Sequence, residues 1–374
     1  MSKAIYTPII KGKKNDMLAL MGQEASVLGL MKPLLELPPT PSKESTDSYL
    51  EKFISRCGEF ANIGNSFVDF YGFLPGEKSK SGKLAVIRGY ELLHQEGIHV
   101  TPVYGFGRDH SAWELLKKIV KEHASGFCFR LDIEDIEEDV AEATWDQIAS
   151  RASELALLPA EIDLVIDLGD VRIKDIETLA AIVTTFMSFK SPELKFRSIA
   201  VAGSSAPKDV TVVAMDSIGE ISRNELMLWA KLKLDLAVGE ELVYSDYGVV
   251  HPDFAADNLP VGGTANCKIR YTAGKSIHIF RGHKRAGDSG QPFKLAKMVR
   301  DHEIYCGREF SDGDQYIDDV ANKDDGPGNL GNWVHADMSH HLKYATVQVA
   351  ALNEKLHDAV SDEELAELLE FAET

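Results

Sequence analysis

The chain has 374 residues, 44% of them hydrophobic and 26% charged, proportions that belong to a folded globular protein and exclude a disordered one. Lysine and arginine total 40 against 59 aspartate and glutamate, a formal net charge of -19, which excludes a nonspecific grip on duplex DNA through counterion release. No window reaches the roughly 18 uninterrupted apolar residues of a membrane span, and the start, Met1-Ser2-Lys3-Ala4-Ile5-Tyr6, has no apolar segment of secretory type, so the expected location is the cytoplasm.

Short apolar runs rich in β-branched and aromatic residues alternate with longer helical patterns, the mark of parallel βα units. Eight strands are expected: Ile5 to Ile10, Met31 to Leu37, Phe67 to Tyr71, Val100 to Tyr104, Phe127 to Leu131, Leu164 to Asp167, Ser198 to Ala202 and Leu242 to Asp246. Capping-box spacings at Ser48-Tyr-Leu-Glu51, Ser111-Ala-Trp-Glu114 and Ser222-Arg-Asn-Glu225 predict helix starts between them. Eight such units favour an α/β fold of the (β/α)8 TIM-like barrel type over an open doubly wound sheet.

After the eighth strand the rhythm changes, and residues 259–374 read as a C-terminal extension of a barrel spanning 1–258. Lys268 to Tyr271 and Ser276 to Arg281, around Thr272-Ala-Gly-Lys275, predict a β-hairpin. A Gly- and Asp-rich loop is expected from Asp312 to Asn332, a helix from about Ser339 to His357, and a last acidic amphipathic helix after Ser361. The extension is expected to pack on the barrel mouth. Cys57, Cys128, Cys267 and Cys306 form no CxxC pair, so reduced thiols are expected rather than a zinc ribbon or a disulfide framework.

Barrel chemistry sits at the C-terminal ends of the strands, and period-two alternation decides which side chains point inward. Phe127, Phe129 and Leu131 facing the helices would leave Arg130 and Asp132 on the barrel side. The same alternation places Asp167 beside Val165 and sets Asp69 against Phe67 and Tyr71, while Lys11, followed by Lys13, ends the first strand and Glu36 the second. Tyr104 ends the fourth strand, Ser204 and Ser205 follow the seventh, and Asp246 with Tyr247 ends the eighth. Any one of these is an ordinary cap or turn residue, which is how Asp170 and Asp209 read; together they make a polar mouth.

Such paired carboxylates near Lys11, Arg130 and Arg172 could bind a divalent cation, exchange protons or hold a phosphoryl group. Gly203-Ser-Ser-Ala-Pro207 lies where barrels often present N–H groups to phosphate, but reads equally as a small-residue turn. His335, His340 and His341 beside Asp337 lack metal-site spacing and read as packing or capping residues. The run Asp132-Ile-Glu-Asp-Ile-Glu-Glu-Asp139 reads as a solvated helix start.

Several segments together resemble the phage-type beta protein family: Tyr6-Thr-Pro-Ile-Ile-Lys-Gly-Lys13, Pro33-Leu-Leu-Glu-Leu-Pro38, Tyr244-Ser-Asp-Tyr-Gly248, Ile269-Arg-Tyr271, Phe280-Arg-Gly282, Gly331-Asn332 and His340-His341. The resemblance spans nearly the whole chain and implies a protein of phages, prophages and bacterial genomes, sometimes beside toxin or defence genes, with no settled activity. Its matched positions are Lys11, Lys13, Glu36, Asp246, Arg270, Tyr271, Arg281 and His341, and it implies that Arg270 and Arg281 fold back over the mouth.

Two functions follow as expectations. In one, the mouth binds a small anionic ligand, such as a nucleotide or phosphoester, through Lys11, Lys13, Tyr104, Arg130, Ser204, Ser205, Arg270, Tyr271, Arg281 and His341; Glu36, Asp69, Asp132, Asp167 and Asp246 then bind metal or exchange protons, and a catalytic version would be a hydrolase or lyase. In the other, the barrel is a scaffold whose acidic surface meets a protein partner encoded nearby, a toxin or defence effector.

Overall fold

The computed structural model describes residues 3–60, 65–108, 110–123, 126–235, 242–253, 266–284 and 288–356. In chain order the elements are β1 (Tyr6–Lys11), α1 (Lys14–Met21), α2 (Ala25–Leu28), β2 (Leu34–Glu36), α3 (Thr46–Glu59), β3 (Phe67–Asp69), α4 (Ala85–Gln95), β4 (Thr101–Tyr104), α5 (His110–His123), β5 (Phe127–Leu131), α6 (Ala141–Leu155), β6 (Ile162–Asp170), α7 (Ile176–Ser188) and β7 (Ser198–Ser204). They continue with β8 (Ser217–Ser222), α8 (Asn224–Asp235), β9 (Leu242–Asp246), β10 (Asn266–Ala273), β11 (Ser276–Lys284), α9 (Gln291–Arg300), α10 (Asp312–Asn322) and α11 (Leu330–Leu356).

Strands β1 to β7 and β9 form a closed parallel barrel, sealed where Tyr6 pairs with Tyr244. Alternation divides its side chains into two cores. Ile9, Leu34, Phe67, Val103, Cys128, Val165 and Val243 fill the inside; Ile10, Leu35, Val68, Phe127, Phe129 and Tyr244 meet the helices outside. The parallel strands are buried on both faces and so carry little polarity along their length.

All eight expected barrel strands are present. Three elements of the helix layer and extension differ from expectation. Helix α3 starts at Thr46, because the Ser45 side chain accepts from Ser48 N–H at 3.3 Å; the cap sits three residues before the expected one. The segment expected as a Gly- and Asp-rich loop begins with α10, whose Ile317 and Val320 are buried on one face and whose N-cap is Ser311. Helix α11 starts nine residues earlier than the expected Ser339.

Strand β8 was not anticipated. It pairs antiparallel with β11, and β10, β11 and β8 make a three-stranded sheet built from the expected hairpin. The hairpin's outer face, with Ile269, Tyr271 and Phe280, packs with Leu295 of α9 and Ile317 of α10. Helix α11 packs against α1, β10 and α8, and its Met338, Leu342, Ala345, Val349 and Leu352, spaced four or three apart, form an apolar stripe in the barrel's outer core.

Among the described residues no helix is long and apolar enough to cross a membrane, and all four cysteines are free. The expected acidic terminal helix and the expected 258/259 boundary lie outside the described residues.

Candidate functional site

Two residues beyond the apolar ring inside the barrel, the same alternation brings charges inward: Lys11 follows Ile9, Glu36 follows Leu34, Asp69 follows Phe67, Arg130 follows Cys128 and Asp167 follows Val165. Glu36, Asp69, Lys11 and Arg130 are all buried. Charges buried at this depth persist only if paired with good geometry.

Arg130 is the centre of that pairing. Its Nη1 lies 2.7 Å from Glu36 Oε2 and 2.8 Å from Asp69 Oδ2; its Nη2 lies 2.6 Å from Asp167 Oδ2 and 2.7 Å from the Tyr247 hydroxyl; its Nε donates to Asp167 Oδ2 at 3.0 Å. A guanidinium has five N–H donors; here each of the three nitrogens donates, to Asp167, Asp69 and Tyr247, while Glu36 Oε2 is an ion-pair contact. Burial opposes the Arg130 charge, but Tyr247, Glu36, Asp167 and Asp69 overcome it and raise its pKa.

Lys11 Nζ pairs with Glu36 and donates to the Pro252 carbonyl at 2.6 Å. Arg108 grips both oxygens of Asp69. Burial alone would raise the Asp69 carboxyl, but Arg108 and Arg130 hold it below the ordinary carboxylate range. The floor therefore has three cations, Lys11, Arg108 and Arg130, against three carboxylates, Glu36, Asp69 and Asp167.

Above this floor opens a cavity of about 420 Å³. Its aromatic and aliphatic wall includes Phe73, Phe106, Tyr71, which is 55% exposed, and Leu74, 73% exposed. The Tyr71 ring stands 5.3 Å from the Arg130 guanidinium and 5.8 Å from that of Arg108, within cation–π range. The charged side chains lining the cavity are six carboxylates, Glu36, Glu77, Asp132, Asp135, Asp167 and Asp253, against the two arginines. Burial, then the neighbouring Asp132, pushes the Asp135 carboxyl up to about 6.

Of the other expected site residues, Asp132 and Tyr104 stand at the cavity's edge and the rest lie away from it. Asp132 is exposed: β5 ends at Leu131, and its carboxylate caps the following 3-10 turn by accepting from Glu134 and Asp135 N–H at 3.0 and 3.2 Å. Tyr104 edges the cavity, but because Val103 points inward its ring turns outward onto Trp113, 5.2 Å away. Asp246 also faces the helix layer, since Val243 and Tyr247 are the inward residues of that segment. It accepts from Tyr6 and Tyr244 hydroxyls at 2.5 and 2.7 Å and pairs with His341 Nε2 at 2.9 Å, fastening α11 to the barrel.

Ser204 Oγ donates to the Val250 carbonyl at 3.3 Å, and Ser205 Oγ donates to Glu225 at 2.5 Å while accepting from Asn224 N–H. Ser205 thus satisfies the start of α8, the part that the spacing gave to Ser222. Lys13 stands at the start of α1, where burial lowers its ammonium against the opposing pull of Asp16. Tyr271 donates to Asp314 at 2.6 Å and stacks on His340 at 3.8 Å. His340 bridges Asp314 and the Thr272 carbonyl, and His341 Nδ1 reaches the Thr272 hydroxyl at 2.7 Å; both histidines serve packing. Arg270 and Arg281 lie in the hairpin and do not line the cavity.

Arg108 and Tyr71 were missed as site residues, and Tyr247 was noted only as a strand end. Arg108 lies in the loop after β4, and the rule that loops after barrel strands carry the site was the signal for it. Among the described residues, no group of three or more His, Cys, Asp or Glu side chains could hold a metal ion.

A family model described as Beta protein matches residues 6–347. No curated protein matches the chain. Among solved structures it is similar to a triosephosphate isomerase from Bartonella henselae at 10% identity, covering 66% of this chain and 91% of that one with a TM-score of 0.35. It is also similar to a mandelate racemase/muconate lactonizing enzyme from Roseiflexus sp. at 14% identity, covering 75% and 64% with a TM-score of 0.34. Both are barrel likenesses too distant to bear on chemistry.

Proposed function

The chain belongs to the Beta protein family, and from that premise we propose that its barrel mouth binds a small organic molecule carrying a positively charged, hydrogen-bond-donating group. The observation that carries this is the charge around the cavity: six carboxylates against two arginines, with Arg130 already hydrogen-bonded to Asp69, Asp167 and Tyr247 and ion-paired with Glu36. An anion, the occupant expected from residue types alone, would meet that excess of carboxylates. A ligand cation would meet carboxylates held rigidly in place by Arg130, with Tyr71 and Leu74 beside its apolar body.

The test is thermal unfolding of the full chain with a panel of small amines, guanidines, phosphorylated metabolites and divalent cations, beside Asp167→Asn. A ligand at about 100 times its Kd adds about 2.7 kcal/mol, a shift of a few degrees. Stabilisation by a cationic compound that Asp167→Asn abolishes is the expected result. Stabilisation by anions alone, unchanged in the variant, would overturn it.

The setting implied by the resemblance, a phage, prophage or defence locus with a toxin or effector as protein partner, is part of the same proposal. Purifying the tagged chain from its native operon checks it, and recovery of no neighbouring gene product would remove it.

A further inference from the structure

The hairpin contains a second group of charges whose balance differs from that of the mouth. In its register Lys268 faces Arg281, Arg270 faces Ile279 and Thr272 faces Ile277. Side chains alternate between the faces of a sheet, so Lys268, Arg270 and Thr272 share one face with Arg281, Ile279 and Ile277. Ile277 and Ile279 belong to the barrel's outer core and Thr272 meets His341, so this is the inner face, turned toward the barrel. At its far end three cations stand side by side.

Their protein partners do not match them. Asp337 of α11 lies 3.7 Å from Arg270 Nη1, and Arg281 Nη1 donates to the Val213 carbonyl. The Nε atoms of Arg270 and Arg281 are buried with no hydrogen-bond partner among the described residues, although both residues are more than nine-tenths buried. The charge of Arg270, then burial, pushes the Lys268 ammonium down to about 7. A buried guanidinium donor without an acceptor is costly, and three cations against Asp337 and the exposed Asp209 leave an excess of one positive charge, which an oxyanion would balance. Arginine forks match oxyanions.

We propose that Lys268, Arg270 and Arg281 form a binding site for a phosphate group, separate from the barrel mouth. None of the three lines the mouth cavity, and the site stands whether or not the mouth takes a cation.

The experiment is titration calorimetry and thermal unfolding of the full chain in chloride buffer at constant ionic strength. The titrants are inorganic phosphate, sulfate, phenyl phosphate and adenosine monophosphate. Phosphate and sulfate are expected to stabilise the protein beyond chloride, with Lys268→Gln and Arg281→Gln each weakening binding at least tenfold and Asp167→Asn leaving it unchanged. Lys268 is only partly buried, so its variant reports on the site even if Arg281→Gln does not fold. Equal affinity for phosphate and the two monoesters supports the site with free phosphate as its ligand, and tighter binding of a monoester supports it with the phosphate of a larger molecule. Phosphate acting no more strongly than chloride, or binding Lys268→Gln as tightly as the parent, would overturn the proposal.

Discussion

Arg130 and Arg281 are both buried arginines on strands, 7% and 8% exposed, yet they are held in opposite ways. Each nitrogen of Arg130 donates a hydrogen bond, with carboxylates on three sides. Arg281 has the Val213 carbonyl and a buried Nε with no partner among the described residues, beside two more cations. The mouth uses its arginine as an internal fastener, whereas the hairpin keeps donors in reserve. Equal burial therefore says little about role; the number of unanswered donors says more.

Substitution should separate the two most strongly. Arg130→Met leaves the buried Glu36 and Asp69 and the partly buried Asp167 around an apolar chain, and removing one partner of a buried pair costs about 3–5 kcal/mol. Arg281→Met in chloride buffer removes an incompletely paired cation and should cost less than about 1 kcal/mol, the net worth of the hydrogen bond to Val213. Urea unfolding of both variants measures this, and equal losses would break the comparison.

The pH dependence sharpens it, because in both regions stability rises with pH but in separate windows, the fold favouring the charge of Asp69 and penalising that of Lys268. Asp69 is depressed in the fold, so its contribution is complete above the unfolded value of about 3.9 and is lost as pH falls through the lower folded value. Lys268 is also depressed, to about 7, but it is a base. Between about pH 7 and its unfolded value of about 10.4 the unfolded chain binds more protons, so stability rises with pH there, and the penalty is complete below 7. Lys268→Met should therefore stabilise the protein at pH 6 and flatten that alkaline rise, while Asp69→Asn alters only the acid limb. A pH series of unfolding midpoints that Lys268→Met leaves unchanged would count against an uncompensated cation at the hairpin.

The mouth's floor was legible where strands are regular. Lys11, Glu36, Asp69, Arg130 and Asp167 follow from alternation alone, since each stands two residues beyond an inward apolar side chain. Legibility stopped where the chain leaves the strand. Asp132 was read one residue past the end of β5, where the backbone already turns, and Arg108 lies in a loop that has no period. Asp246 and Tyr104 were legible only to a reader who knew which neighbour, Tyr247 or Val103, points inward. In α10 the aspartates suggested a loop, while the spacing of Ile317 and Val320 carried the helix; β8 has no buried residue along its length and takes its identity from the strand it pairs with.

The smallest expected effect concerns the wall of the mouth. Tyr71 is 55% exposed, so Tyr71→Ala should change stability by no more than about 0.5 kcal/mol. If its ring faces a bound cation, the contact is worth about 0.5–2 kcal/mol, a loss of roughly two- to thirtyfold in affinity, and Tyr71→Phe should keep most of it because the ring and not the hydroxyl makes the contact. Calorimetry with whichever compound the thermal screen selects distinguishes the cases. Affinity unchanged in Tyr71→Ala would assign the mouth's selectivity to its carboxylates alone. An equal loss in both variants would mean that the hydroxyl, rather than the ring's face, meets the ligand.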